Sequence, residues 1–113
     1  MKVAVIGSRD CGNLDVEQII REIPRECTEI VSGGAEGVDR LARHAAVRLG
    51  LPIQEFLPDY STFGRQAPLV RNRQIAEYAD QVIAFWNYRS RGTRYTLLRA
   101  KDLGKPIRII LID

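Results

Sequence analysis

Ser32-Gly33-Gly34-Ala35-Glu36-Gly37-Val38-Asp39 stands between an apolar run ending at Ile30-Val31 and a segment where Leu41, Ala42, Ala45, Ala46 and Leu49 recur at helical spacing. A buried strand, a glycine-rich turn and an amphipathic helix therefore follow one another. That order aims free backbone N–H groups and the positive helix end at an anion, usually a phosphate. The spacing is neither G-x-G-x-x-G nor a P-loop, because no Gly-Lys-Ser/Thr follows. Glycine also serves tight strand-to-helix turns for geometry alone. The turn thus suggests a phosphate-bearing ligand without naming it.

Outward from this turn the same alternation continues in both directions. Val3 to Ile6 is an apolar run stopping at Gly7-Ser8-Arg9, a buried strand ending in a turn. Leu14, Val16, Ile19, Ile20 and Ile23 mark an amphipathic helix closed by Pro24. The helix after the glycine turn ends near Gly50, with Pro52 beyond it. Ile53 to Leu57 reads as a third strand, followed by a polar loop from Pro58 to Gln66. Pro68 suits the first turn of a helix through Leu69, Ile75, Ala76 and Ala79. Gln81 to Trp86 is a fourth strand, a helix carrying Leu97, Leu98 and Leu103 follows, and Ile107 to Ile112 is a fifth strand.

Five strands alternating with four helices predict an α/β fold: a doubly wound, mainly parallel sheet with helices on both faces, formed by residues 1–113 as one domain. Ligands of such sheets bind off the carboxyl ends of the strands, where strand order reverses. The segments expected there are Gly7-Ser8-Arg9, the glycine turn, Pro58-Asp59 onward, and Trp86 to Thr93. Each carries glycine, hydroxyl, arginine or aromatic groups, and this convergence predicts a binding site.

Composition bounds the partners. The chain has 45% hydrophobic and 27% charged residues, ordinary for a soluble globular protein, and no apolar run approaches a membrane span. The strand at the very N-terminus leaves no room for a signal peptide, and two cysteines, Cys11 and Cys27, have neither metal nor secreted-framework spacing. A cytoplasmic protein with reduced thiols is expected. No metal site is expected either, since the lone His44 lies off the apolar stripe of its helix with no ligand at suitable spacing. The net charge of +3 argues no nucleic-acid role by itself, yet 14 of the 17 basic residues are arginine. Seven of them crowd Arg65 to Arg99, against only Glu77 and Asp80. Arginine's planar fork suits bidentate contact with phosphate or carboxylate.

Four motifs, Gly7-Ser8-Arg9, Ser32 to Asp39, Arg71-Asn72-Arg73-Gln74-Ile75-Ala76 and Ser90-Arg91-Gly92-Thr93, occur in an order that resembles the SLOG superfamily across the whole chain. That superfamily joins the Rossmann-like domain of Smf/DNA-processing protein A with the LOG (lysine-decarboxylase-like) proteins. Phe63-Gly64 and the Trp86 to Thr93 segment make the short YspA-like members most similar. The resemblance implies a Rossmann-like domain whose glycine turns bind a nucleotide or nucleotide-derived ligand, and a homodimer. Relatives that bind single-stranded DNA make single-stranded nucleic acid a second partner class. LOG relatives release base from nucleoside monophosphates through P-G-G-x-G-T-x-x-E, and Gly92-Thr93 matches that loop. Thr96 stands where the catalytic glutamate would be, and a threonine is no carboxylate base. No catalytic residue is assigned; Glu36, Asp39 and Asp59 are the available carboxylates.

The ligand-binding candidates are Gly7, Ser8, Arg9, Ser32, Gly33, Gly34, Gly37, Asp39, Arg71, Asn72, Ser90, Gly92 and Thr93, with Phe63 and Trp86 as base-stacking candidates. Several have plain structural readings beside the functional one. Arg9 suits an ion pair, Asp39 complements a helix dipole, and Asn72 suits hydrogen bonds between loops. Thr93 suits an N-cap, and Trp86 a dimer contact.

Overall fold

The computed structural model describes residues 1–112. Strands β1 (Lys2–Gly7), β2 (Glu29–Ser32), β3 (Ile53–Glu55), β4 (Gln81–Trp86) and β5 (Ile107–Leu111) form one sheet. The order is β3-β2-β1-β4-β5, with every neighbouring pair parallel. Helices α1 (Val16–Glu22), α2 (Val38–Leu49), α4 (Ala67–Tyr78) and α5 (Arg91–Asp102) make the crossovers, and a short α3 (Tyr60–Phe63) precedes α4.

Side-chain alternation along the strands divides the core into two layers. Val3, Val5, Ile30, Ile83 and Phe85 pack on the face that carries Ile19 of α1 and Val38, Ala42 and Ala45 of α2. Ala4, Ile6, Val31, Val82 and Ala84 face Ile75 and Ala76 of α4 and Leu97 and Ala100 of α5. Both sides of β1 and β4 are buried, which explains their unbroken apolar runs. The doubly wound sheet expected from the alternation is the one found.

Two boundaries differ from the sequence reading. β3 ends at Glu55 rather than Leu57, because it is an outer strand and Leu57 is largely exposed. The Pro58 to Gln66 segment is not all loop. Asp59 accepts a hydrogen bond from Thr62 N–H at 3.2 Å and one from Ser61 Oγ at 2.8 Å, nucleating α3, and a 3₁₀ turn over Gly64–Gln66 runs into α4. An aspartate N-cap is local chemistry that outweighs the polar composition of so short a stretch. No helix is long and apolar enough to cross a membrane.

The chain builds β1, β2 and β3 outward in one direction and then returns to lay β4 on the other side of β1. The reversal leaves a crevice above the carboxyl ends of β1 and β4. Ser8 stitches its floor: its N–H donates to Phe85 O at 3.2 Å, and its Oγ accepts from Asn87 N–H at 3.1 Å.

Candidate functional site: a cleft at the strand-order reversal

A cleft of about 450 Å³ opens at this crevice. Its walls are the β1 loop, the α2 turn, the inner side of α4, and the β4–α5 connection. Nine of the candidates line it: Gly7, Ser8 and Arg9 on one side, Asp39 from α2, Arg71 and Asn72 from α4, and Ser90, Gly92 and Thr93 from α5. Three connections and one helix, distant in sequence, therefore meet in one concavity of the size ordinary for small-molecule sites.

Arg71 organises it. Its guanidinium is buried, with Nη1 donating to Gly33 O at 2.7 Å and to Phe56 O at 3.4 Å, and Nε donating to Asn72 Oδ1 at 2.8 Å. Asn72 passes the link on, since its Nδ2 donates to Gly92 O at 3.4 Å. One arginine and one asparagine thus tie the β2 turn, the end of β3 and the start of α5 together. Nη2 makes no hydrogen bond within the described residues and belongs to a side chain that lines the cleft. Burial lowers the Arg71 pKa and nearby Arg9 lowers it further, while Asp39 opposes the shift.

The glycine turn sits mostly behind the cleft. Ala35 and Glu36 front it; Ser32, Gly33, Gly34 and Gly37 do not line it. Much of the turn's hydrogen-bonding capacity is used internally. Gly34 N–H donates to Ser32 Oγ, Ala35 N–H to Asp39 Oδ2 at 3.2 Å, and Val38 N–H to Ser8 O at 3.2 Å. The glycines serve close approach: a Cβ on Gly33 would stand 2.6 Å from Arg71 Nη1 and 2.9 Å from Asp39 Oδ2.

Asp39 is buried at the turn, and burial raises its pKa against the Ala35 N–H, Arg71 and Ser32, which lower it. A carboxyl that holds its proton more tightly when folded adds stability that is complete below the ordinary carboxylate pKa. That stability is lost as pH rises through the folded value. Asp39→Asn removes the titration. The stability difference between variant and wild type is expected to move in the variant's favour as pH rises across that window, then to level off. Urea denaturation at a series of pH values measures it, and a difference independent of pH would refute a raised Asp39 pKa.

The α5 end is electrostatically the opposite of the α2 turn. Ser90 caps α5, its Oγ accepting from Thr93 N–H at 3.3 Å and lying 3.0 Å from Thr93 Oγ1. The N–H groups of Arg91 and Gly92 find no partner among the described residues. No acidic residue lies in the first turn of α5, where Arg91 and Arg94 stand, with Arg89 just before them. Asp10, Glu36 and Asp39 by contrast all sit on the β1–α2 side. Arg9 is exposed and takes part in none of the four side-chain ion pairs among the described residues.

The aromatic candidates stand outside the lining. Phe63 is an exposed residue of α3, and Trp86 is buried beneath Tyr88, whose ring stacks on it at 4.3 Å. Trp86 Nε1 donates to Ser90 O at 3.0 Å, so the indole helps hold the β4–α5 connection. Thr96 does line the cleft, but its Oγ1 donates to Gly92 O of its own helix at 2.9 Å. His44 is exposed, and no three His, Cys, Asp or Glu side chains cluster for a metal ion among the described residues. Asn87 and Arg89 also line the cleft; both fall in the Trp86 to Thr93 segment expected there but are not among the named candidates. Asn87 Oδ1 accepts from Arg89 N–H and Ser90 N–H, a side-chain-closed turn that the spacing Asn87-x-x-Ser90 before a helix signals.

Comparison with known proteins agrees with this fold. The family model for DNA recombination-mediator protein A matches residues 1–53, which carry β1, α1, β2, the glycine turn and all of α2. DNA processing protein A (DprA) from Streptococcus pneumoniae superposes with a TM-score of 0.81 at 27% identity over 99% of this chain and 50% of its own. These matches are consistent with the SLOG superfamily. A second SLOG structure, DprA from Helicobacter pylori, described for its single-stranded DNA binding mode, gives a TM-score of 0.77 at 25% identity over 96% of this chain and 64% of its own. A structural-genomics protein, TM1055, shares the fold with a TM-score of 0.70 at 22% identity over 94% of this chain and 71% of its own. The chain spans half to two thirds of the DprA structures it matches. No curated protein matches the sequence.

Proposed function

We propose that the cleft binds a nucleotide or nucleotide-derived small molecule with its phosphate at the α5 N-terminus. The observation that carries this reading is the meeting of unpartnered helix N–H groups at Arg91 and Gly92 with the Arg71–Asn72 brace. Helix N-termini favour anions through their N–H groups and dipole, and a guanidinium adds charge-assisted bonds. Arg9 and Arg89 on the rim supply further positive charge. The acids of the β1–α2 side repel a second phosphate there but accept hydrogen bonds from sugar hydroxyls, which supports this orientation of the ligand. The glycine turn then acts chiefly as the scaffold that seats α2.

A second reading is single-stranded DNA, favoured by the similarity to the DprA structure described for that binding mode. The mix of three arginines and three acids around the cleft suits a compact polar ligand better than a continuous phosphate backbone. A thermal-shift screen against nucleotides, ADP-ribose-type compounds and a short single-stranded oligonucleotide separates the two. A ligand at 100 times its Kd adds about 2.7 kcal/mol of stability. Small-nucleotide stabilisation with weak salt dependence is expected. Stabilisation by the oligonucleotide alone, falling steeply with salt, would put the DNA reading first. Product analysis of each hit tests hydrolysis by the Asp10, Glu36 or Asp39 carboxylates.

Arg9→Ala supplies the matching variant. Its side chain is exposed and outside the ion pairs, so the melting temperature of the free protein is expected to stay within about 2 °C of wild type. Ligand affinity is expected to fall about tenfold, the value of one charge-assisted contact. Unchanged affinity by calorimetry would remove Arg9 from the site.

A further inference from the structure

The connection from β3 to α4 runs along the rim of the cleft and is fastened there at both ends. At its start Phe56 N–H donates to Ser32 O at 2.9 Å, and Phe56 O accepts from Arg71 Nη1. Leu57 then lies over the glycine turn, its Cδ2 2.6 Å from where a Cβ on Gly34 would stand. Ala35 and Glu36, which follow Gly34 in that turn, line the cleft. At the other end Ala67 is buried, and Pro68 and Arg71 of α4 line the cleft as well.

Between these anchors the chain is held only by itself. Every residue from Asp59 to Gln66 is exposed. Beyond the two bonds to the Asp59 side chain, Phe63 N–H donates to Asp59 O at 3.0 Å and Gly64 N–H to Tyr60 O. No hydrogen bond or ion pair from residues 57–65 reaches the sheet, α2 or α5 among the described residues. Gly64, at φ = 56°, has nothing within 4 Å of an added Cβ, so the joint between α3 and α4 stands in open space. A small body with its own capping and few buried contacts belongs to the low end of local stability, from which lids are drawn.

The cleft and this segment are complementary in what they lack. None of the residues that line the cleft is aromatic. The exposed aromatic side chains among the described residues are Tyr60, Phe63 and Tyr88, and Tyr88 is already stacked on Trp86. Tyr60 is 59% and Phe63 41% exposed, and neither pairs with another ring. Three residues apart in one helical turn, they share a face. Tyr60 stands near enough to the cleft for its phenol to act on the charge of Arg71.

We propose that residues 58–66 are a lid that folds onto the cleft when a nucleotide is bound, bringing Tyr60 and Phe63 against the base. The lid rests on the nucleotide reading above and adds to it a base subsite that is aromatic and completed only on closure. Such a subsite tolerates any base, because every base has a π-face. With the phosphate at α5 and the sugar at the acids of the β1–α2 side, the base is left toward Ala35 and Pro68, where the lid is anchored. Closure breaks no hydrogen bond between the lid and the sheet, α2 or α5.

Adenosine 5′-monophosphate and ribose 5-phosphate differ only in the base and test the lid, with hydrogen exchange of the 58–66 backbone and calorimetric affinity as readouts. The adenosine nucleotide is expected to slow exchange across 58–66. Ribose 5-phosphate is expected to bind about tenfold more weakly and to leave that exchange unchanged. Tyr60→Ala is expected to weaken the nucleotide about tenfold and to leave the affinity for ribose 5-phosphate as it was. The Tyr60 side chain is exposed and makes no hydrogen bond, so the melting temperature of the free variant should match wild type. Nucleotide binding that leaves 58–66 exchanging as before, or exchange slowed equally by both probes, overturns the lid while the nucleotide reading stands. Wild-type nucleotide affinity in a chain carrying both Tyr60→Ala and Phe63→Ala overturns it in the same way. Failure of both probes to bind at millimolar concentration overturns the nucleotide reading and the lid with it.

Discussion

Arg71→Ala is expected to lower the unfolding free energy by about 3 kcal/mol, and to abolish ligand binding in the cleft. The loss has identifiable parts. Gly33 O and Phe56 O lose the donors that Arg71 brings to them, and Asn72 loses the partner that orients it toward Gly92. A buried acceptor left without its donor costs about 1–3 kcal/mol. Asp39 meanwhile loses the positive charge that offsets its burial. Water entering from the cleft recovers part of this, which keeps the figure below the sum of the parts. Arg71→Lys retains the charge but not the planar fork, whose Nε holds Asn72 while Nη1 reaches the carbonyls of Gly33 and Phe56. It is expected to recover less than half of the loss. Urea denaturation of both variants measures this, and a loss below about 1 kcal/mol for alanine would show that the brace does not support the fold.

Gly37→Ala is expected to cost about 3 kcal/mol, with no ligand needed to see it. Gly37 has φ = 73°, in the left-handed region that side chains disfavour. A Cβ there would stand 2.5 Å from Ser8 O and closer still to Arg9 O. Neither oxygen can give way cheaply, because Ser8 O accepts from Val38 N–H and the β1 loop is fixed to β4 through Ser8 N–H. Gly50, at the end of α2, is the control. Its φ is 66°, but nothing lies within 4 Å of an added Cβ, so Gly50→Ala carries the conformational cost alone, about 1 kcal/mol. Equal losses at the two positions in thermal or urea unfolding would mean that the α2 turn is free to relax away from β1.

The two variants bear on the role of the glycine turn. The sequence permits both a phosphate cradle and a tight joint there. In the structure Gly33 gives room to Arg71 and Asp39, and Gly37 gives room to the β1 loop. The side chain of Asp39 occupies the Ala35 N–H that an anion would otherwise take. A local pattern cannot distinguish these roles, because the groups that fill the turn come from α2 and α4. The same holds for Trp86, which reads as an available aromatic until Tyr88, two residues on, is seen stacked over it.

What the sequence determined by itself is the architecture. Apolar runs bounded by glycine and proline mark buried strands, and helical spacing between them forces parallel crossovers with helices on both faces. Strand-end loops then become the ligand side of the sheet by topology alone. Ser90 and Gly92 were legible as cleft residues because they fall in or just after such a loop, and Arg71 and Asn72 because their motif resembles that of the SLOG superfamily. Only the tertiary structure decided which backbone groups remain free, since that depends on partners tens of residues away: Ser8 O for Val38, Gly33 O for Arg71, Gly92 O for Asn72. It also decided that β3 and β5, not β1, form the edges. Strand order is a property of the assembled sheet, and the hydrophobicity of a single strand says how buried it wants to be, not which neighbour will bury it.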